Sequence, residues 1–294
     1  MPLAQTRRTG IMLVALSAVF WSTAGLFVRM AHLDSWTILV WRSLFSVLTL
    51  GGIVLVQNRG HVFRTITGIG WPGVASVAIS TVSSISYVVA LCLTSVANVM
   101  TIYAALPFIA TAIAFLWLGE RVTKRFLVAG AIGLAGIVIM AGGVATRRDL
   151  LGILAALVMT ATFAAQLVHT KRHASLNMTV VSALAAAACV PIIAPLMQHS
   201  IPAPLSLLAC ALFGILTTGL AYLLVLKGGR LISSGEAGFI SMLDVVLGPF
   251  WVWLFYAERP TPTVLVGGFI VLASVLWYLA TDRGARAPTV LTEV

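Results

Sequence analysis

Ten mostly apolar runs, each close to the thickness of a bilayer, follow one another along this chain. They cover roughly 10–28, 36–56, 69–91, 96–118, 125–143, 150–169, 178–197, 204–226, 236–256 and 262–280. A helix needs about 20 apolar residues to cross roughly 30 Å of hydrocarbon, at about 1.5 Å per residue. The runs are continuous rather than alternating, which excludes the strands of a membrane barrel. Gly, Pro, Asn, Asp and basic residues fill the gaps, as turns require, and no gap is long enough for a soluble domain. The pattern predicts an all-α integral membrane protein with ten transmembrane helices.

Composition agrees. Of 294 residues, 60% are hydrophobic and only 9% are charged, against about 25% charged in a soluble domain. Too few polar atoms exist to cover a water-exposed surface. That excludes a soluble enzyme, a nucleic-acid-binding domain and a disordered chain. The net charge of +10 does not change this, because nearly every basic residue flanks an apolar run and so marks topology. With the N-terminus inside, thirteen of the 18 Lys and Arg fall in cytoplasmic segments. Four (Arg29, Arg147, Arg148 and Arg259) fall outside, and Arg42 lies within the second run. The expectation is a multi-pass protein of the cell inner (plasma) membrane with both termini cytoplasmic. Arg7-Arg8 and the run after them read as a retained first span rather than a cleaved signal. Cys92, Cys189 and Cys210 each stand alone in an apolar run, which suggests neither a disulfide framework nor a metal site.

The chain also repeats itself. Shifting residues 116–135 by 138 places them on 254–273, with ten identities in twenty positions, among them Glu120/Glu258, Arg121/Arg259 and Gly130/Gly268. The repeating unit is therefore five helices: residues 1–148 with spans 1–5, and 149–294 with spans 6–10. Two tandem copies of an odd number of spans must insert with opposite orientations. Inverted-topology repeats around a central cavity are the architecture of secondary transporters.

Several stretches stand out: Trp21-Ser22-Thr23-Ala24-Gly25, Arg42, Leu106-Pro107-Phe108, the Gly-Glu-Arg turn at 119–121, the stretch from Leu243 to Pro249, and Glu258-Arg259-Pro260. Together they resemble the drug/metabolite transporter superfamily, in particular its EamA-type ten-helix branch. Two positions depart from the pattern: Asp244-Val245 stands where Glu-Pro is common, and Ala257 where Gly is common. The resemblance spans nearly the whole chain. It implies export of amino acids, aromatic ones included, or of other small metabolites.

Polar side chains in lipid are costly unless they face a bundle interior, so polar stripes mark a candidate cavity. Span 3 carries Ser76, Ser80, Ser83, Ser84 and Tyr87 on one helical face. Span 4 adds Asn98, Thr101 and Tyr103, and span 1 adds Trp21. Span 6 carries Thr162, Gln166 and His169. Span 8 carries Thr217, Thr218 and Tyr222, and span 9 carries Ser241 and Asp244 beside Gly238 and Gly248. Any one Ser or Thr is better explained as a small packing residue, whereas Tyr87, Gln166 and Tyr222 fit either reading. An ionised acid near mid-bilayer costs about 3 kcal/mol. Asp244 is thus either a proton or cation site, or is paired with a neighbouring hydroxyl or with a helix end opened by Pro249. Arg42 either holds an anionic group or snorkels outward to loop carbonyls, the simpler reading. His169 either titrates during transport or is an interfacial polar residue. Glu120 and Glu258 read as turn and cap residues. Pro107 and Pro249 are expected to kink spans 4 and 9, either as gating hinges or as static bends.

These features weigh for a transporter working by alternating access and against a membrane enzyme acting on lipid. An enzyme would need converging acid, base or metal groups, and the few candidates lie on different helices. No P-loop is present to use ATP, and no ring of like charges marks a channel. No cofactor and no metal are expected. The partners are a small-molecule substrate and the bilayer, without nucleic acid, and the oligomeric state is left open, a monomer sufficing. Nucleotide sugars or drugs remain alternative substrates.

Overall fold

Helix boundaries fall where capping side chains stand in the sequence. Asp34 accepts from Trp36 N at 3.0 Å and Thr37 N at 3.1 Å, opening Ser35–Gln57. Ser95, Thr146 and Asn177 do the same for Val96–Tyr103, Arg147–Arg172 and Met178–Ile193. Each side chain satisfies N–H groups that a helix start leaves without a partner. The computed structural model describes residues 3–58, 61–119, 124–141, 146–173, 175–198, 201–229, 231, 240–241 and 243–281, and no strand occurs among them. Glu120, Arg121 and Gly238 lie outside the described residues.

In chain order the helices are α1 (Leu3–Ser22), α2 (Ala24–Ala31), α3 (Ser35–Gln57), α4 (Val62–Thr67), α5 (Gly70–Leu93), α6 (Val96–Tyr103) and α7 (Leu106–Leu118). They continue with α8 (Lys124–Ala141), α9 (Arg147–Arg172), α10 (Met178–Ile193), α11 (Pro204–Leu212), α12 (Ala221–Gly229), α13 (Leu243–Tyr256) and α14 (Pro262–Thr281). Among the described residues, seven helical segments are long and apolar enough to cross a membrane: Arg7–Ala31, Ser35–Gln57, Gly70–Leu93, Val96–Trp117, Arg147–Thr170, Met178–Leu196 and Pro204–Val225. The remaining three expected spans appear as shorter apolar helices, Leu127–Ile139, Leu243–Tyr256 and Pro262–Ser274. Large apolar side chains such as Leu48, Trp71, Leu116 and Phe269 stand exposed on the outer surface, as a lipid-facing belt requires.

Three spans are interrupted. Between α1 and α2 the Thr23 hydroxyl bonds Phe20 O at 2.6 Å and the Ser22 hydroxyl bonds Val19 O at 2.7 Å, back-bonding that bends helices. Span 4 breaks at Ala104-Ala105, so Pro107 lies in the first turn of α7 and not in the middle of a helix. Proline is well tolerated there, since its missing N–H has no acceptor to lose. Pro249 does lie inside α13, as expected, and Pro191 inside α10. In span 8, α11 passes through a π-helical stretch, Phe213–Leu220, before α12. The wider turn is the kind of local distortion that often sits at functional sites.

The packing of the helices follows the repeat. α5 packs along α9, and α1 along α12, so span 3 against span 6 is matched by span 8 against span 1. α3 packs on α10, α6 on α13 and α8 on α14, each a span against its own counterpart. At the last of these contacts a Cβ added to Gly133 would meet Ser274 Oγ at 3.2 Å, and one added to Gly136 would meet Val271 Cγ2 at 2.9 Å. Ser274 stands 138 residues after Gly136, and Val271 stands 138 after Gly133. The two contacts are thus reciprocal, and the two helices cross antiparallel.

Five connections meet at one end of the bundle. Arg29, in the last turn of α2, donates to Glu258 Oε2 at 2.8 Å, Leu91 O at 2.6 Å and Thr94 O at 3.1 Å. Thr94 donates to Asp149 Oδ1 at 3.2 Å, and Gln198 N donates to Thr37 Oγ1 at 3.0 Å. The segments joining spans 1–2, 3–4, 5–6, 7–8 and 9–10 are thereby bonded together. Beneath them, Phe27, Leu39, Leu91, Val99, Ile102 and Phe213 form a buried apolar core.

Candidate functional site

A cavity of about 260 Å³ lies where the two halves meet. Trp21, Arg42, Ser80, Ser83, Ser84, Tyr87, Met100 and Tyr103 line it from the first half. Met159, Phe163, Gln166, Met178, Ser182, Thr217, Thr218, Tyr222 and Asp244 line it from the second. Pockets for drug-sized ligands run to about 300–1,000 Å³, so this one suits a smaller metabolite.

Span 3 supplies Ser80, Ser83, Ser84 and Tyr87 because these positions recur about every three to four residues, on one face of a helix. Ser83 Oγ donates to Met159 O at 3.3 Å, tying α5 to α9 at the wall. Tyr87 stands edge-on to Phe213, ring centroids 6.4 Å apart, and Tyr103 leans on Phe163 at 6.1 Å. Trp251 Nε1 donates to Ser22 Oγ at 2.9 Å, bracing α1 against α13 next to Trp21. The wall is therefore aromatic and thioether over much of its area, with hydroxyls between.

Arg42 departs from the expectation that it snorkels outward. It is buried, its guanidinium carbon lies 4.7 Å from the centre of the Phe213 ring, and Nη2 reaches Thr218 Oγ1 at 3.4 Å. The physical reason is the neighbouring π-helical stretch. A Cβ added to Gly214 would come within 2.5 Å of Arg42 O, so only glycine lets span 8 press this close to α3. Phe213 and Thr218 are then presented to the guanidinium from inside the bundle, and the cation–π contact holds it there.

Asp244 is buried on α13 at the cavity wall. It makes no ion pair with Arg42 among the described residues; the ion pair seen there, Arg29–Glu258, belongs to the bonded end. Among the described residues, Arg42 Nε and Nη1, Asp244 Oδ1, Gln166 Oε1 and Tyr222 Oη all lack a hydrogen-bond partner. Buried polar atoms are nearly always partnered in native structures, and here five such atoms gather at one cavity.

Of the twelve cavity candidates, eight lie on this wall: Trp21, Ser83, Tyr87, Tyr103, Gln166, Thr218, Tyr222 and Asp244. Four lie elsewhere. Asn98 donates to Thr94 Oγ1 at 2.7 Å, within the bonded end. Thr101 faces Gly268 of α14. His169 bonds Pro72 O at 2.9 Å and stacks near His173, toward the opposite end. Ser241 is half-buried off the wall. Thr162 turns its hydroxyl back to Val158 O at 2.7 Å. Met100, Met159, Phe163 and Met178 were not foreseen, since apolar residues in apolar helices carry no distinguishing pattern, and neither was Ser182, whose span carries no polar stripe.

Glu258 is a cap, though not of its own helix. Its Oε1 accepts from Val96 N at 3.0 Å, at the start of α6 in the other half. Among the described residues, no three His, Cys, Asp or Glu side chains group so as to hold a metal ion.

On the side of the Arg29–Glu258 contact the helices carry the buried apolar core. Toward the opposite end the lining reaches Gln166, six residues before the end of α9, and Met178 and Ser182 at the start of α10.

Comparison with known proteins gives three findings. A family described as the EamA-like transporter family matches residues 8–142 and again 146–280, stretches whose starts are 146 − 8 = 138 residues apart, the shift of the internal repeat. An uncharacterized transporter of Archaeoglobus fulgidus is 26% identical over 272 residues, covering 92% of this chain and 96% of the relative. A solved crystal structure shares the fold with a TM-score of 0.64 at 19% identity, covering 95% of this chain and 99% of that one.

Proposed function

Because this chain belongs to the EamA-like transporter family, we propose that it exports amino acids, aromatic ones among them, across the cell inner membrane by alternating access. It does so without enzymatic chemistry, as ten spans in two inverted five-helix halves, residues 1–148 and 149–294, with both termini cytoplasmic. The observation that carries this reading is the cavity lined by residues of both halves, with the bonded connections to one side of it. The reciprocal contacts Gly133–Ser274 and Gly136–Val271 support the inverted relation, since a two-fold axis pairs i with the counterpart of j and j with the counterpart of i. Five connections bonded at one end support an even, alternating set of crossings. The Lys and Arg distribution orients that end outward.

The cavity wall supports amino acids over phosphorylated sugars or nucleotides. A phosphate substrate calls for several Lys or Arg, and Arg42 is the one basic residue among the wall's described side chains. The test is flux into proteoliposomes of purified protein, with a panel of amino acids set against sugar phosphates. Saturable movement of amino acids is expected. Movement of sugar phosphates with every amino acid ignored contradicts the proposal. Topology is checked separately by labelling single cysteines at positions 147 and 122 from outside, where only the first is expected to react.

A further inference from the structure

We infer that Arg42 and Asp244 form the two poles of a clamp for a zwitterion, Arg42 taking the carboxylate and Asp244 the ammonium. The inference rests on the reading of this chain as an amino acid transporter and assigns the residues that read the substrate's two charged groups.

Both residues are more than nine-tenths buried, at 8% and 6% exposure. Both face one cavity, yet they form no ion pair with each other. Arg42 uses one nitrogen weakly, on Thr218, and its Nε and Nη1 stand free as donors. Asp244 Oδ1 stands free as an acceptor. Tyr87 and Tyr103 line the same wall as both residues. Two opposite charges held apart in one buried chamber are each poorly compensated, because Coulomb attraction falls with distance while desolvation does not. A molecule carrying one anion and one cation a few bonds apart compensates both at once. An α-amino acid has that arrangement, and a guanidinium edge with two donors suits a carboxylate. The side chain of the amino acid then rests on Trp21, Phe163 and the methionines.

A ligand that lacks one pole leaves the facing charge buried and uncompensated, so discrimination is steep. The probes are phenylalanine, phenylalaninamide, which lacks the carboxylate, and N-acetylphenylalanine, which lacks the ammonium. They are measured in proteoliposomes of the full chain. Wild type is expected to move phenylalanine at least about tenfold better than either derivative. Arg42→Gln is expected to lower phenylalanine flux at least about tenfold more than phenylalaninamide flux, and Asp244→Asn at least about tenfold more than N-acetylphenylalanine flux. Arg42→Lys, which keeps a charge, is expected to keep the preference for phenylalanine over its amide. Should a variant not fold, the wild-type comparison still decides. Equal wild-type flux of all three probes overturns the clamp and leaves amino acid transport standing. A loss in Arg42→Gln that is the same factor for every probe also overturns it. If wild type moves no amino acid at all, the transport reading falls and the clamp falls with it.

Discussion

Ala257 takes the left-handed backbone conformation, φ +52°, that Gly119 takes at φ +66°, 138 residues earlier. Both close a helix, α7 and α13, and both precede a Glu-Arg pair. The second half thus keeps the turn of the first while carrying a side chain that the turn disfavours. An L-residue with a Cβ loses about 1–2 kcal/mol in this region, and glycine returns about 0.5–1 kcal/mol of that in unfolded-chain entropy. Ala257→Gly is therefore expected to stabilise the protein by about 0.5–1 kcal/mol. Gly119→Ala is expected to destabilise it by a similar amount, and thermal unfolding in detergent reads both. A lower Tm for Ala257→Gly contradicts the turn assignment.

The contact of α8 with α14 makes a second prediction. A Cβ on Gly136 would approach Gly267 O to 2.7 Å, a backbone atom that has little freedom to move, whereas Gly130 has nothing within 4 Å. Gly136→Ala is expected to cost about 1–3 kcal/mol through overpacking. Gly130→Ala, one face away on the same helix, is expected to be neutral or to stabilise by up to about 1 kcal/mol. Equal effects in the same melting assay count against the antiparallel crossing.

Much of this was legible beforehand, and the reasons are physical. Span 3 announced its cavity face because Ser80, Ser83, Ser84 and Tyr87 interrupt an apolar helix at helical spacing. The repeat showed through Glu258-Arg259, whose glutamate caps the start of α6 in the other half and so demands a particular residue. The destination of Arg42 was not legible. Whether an arginine two turns into a helix snorkels or turns inward depends on what packs beside it. Here that is Gly214 and the π-helical stretch, 172 residues further on. Arg29 and Glu258 are 229 residues apart, and no local pattern links them. Pro107 was placed in the right span, but the break two residues before it at Ala105 has no strong signal of its own.

Asp244 carries a pH prediction. A carboxylate that binds the substrate's ammonium also binds a proton, and the two compete for the same oxygen. Tyr87 and Tyr103 interact with it electrostatically, and Arg42 lines the same cavity. Protonation from outside drives the amino acid off, so export is expected to rise when the outside is made acidic, by up to about tenfold per pH unit. Asp244→Asn is expected to fold and to lose that response. A wild type indifferent to the gradient makes Asp244 a polar wall residue. A variant that fails to fold while Ser83→Ala folds normally makes it structural.

The Arg29–Glu258 bridge is about three-quarters buried, at 22% and 24% side-chain exposure. An ion pair still partly in contact with water is worth about 0.5–1 kcal/mol. Glu258→Gln is therefore expected to shift the balance toward the outward-open form about two- to fivefold. The readout is the labelling rate, from outside, of a cysteine placed at Asn98, beneath the seal. An unchanged rate means that the bridge does not hold this end shut.

Alternating access itself is tested most directly by locking that end. In a chain with Cys92, Cys189 and Cys210 replaced by alanine, cysteines are placed at Arg29 and Glu258 and bridged by a reducible bifunctional thiol reagent. Amino acid flux in proteoliposomes is then measured before bridging, after bridging and after reduction. Export by rocking of the two halves predicts that flux falls to background on bridging and returns on reduction. Undiminished flux through the bridged protein would contradict the account.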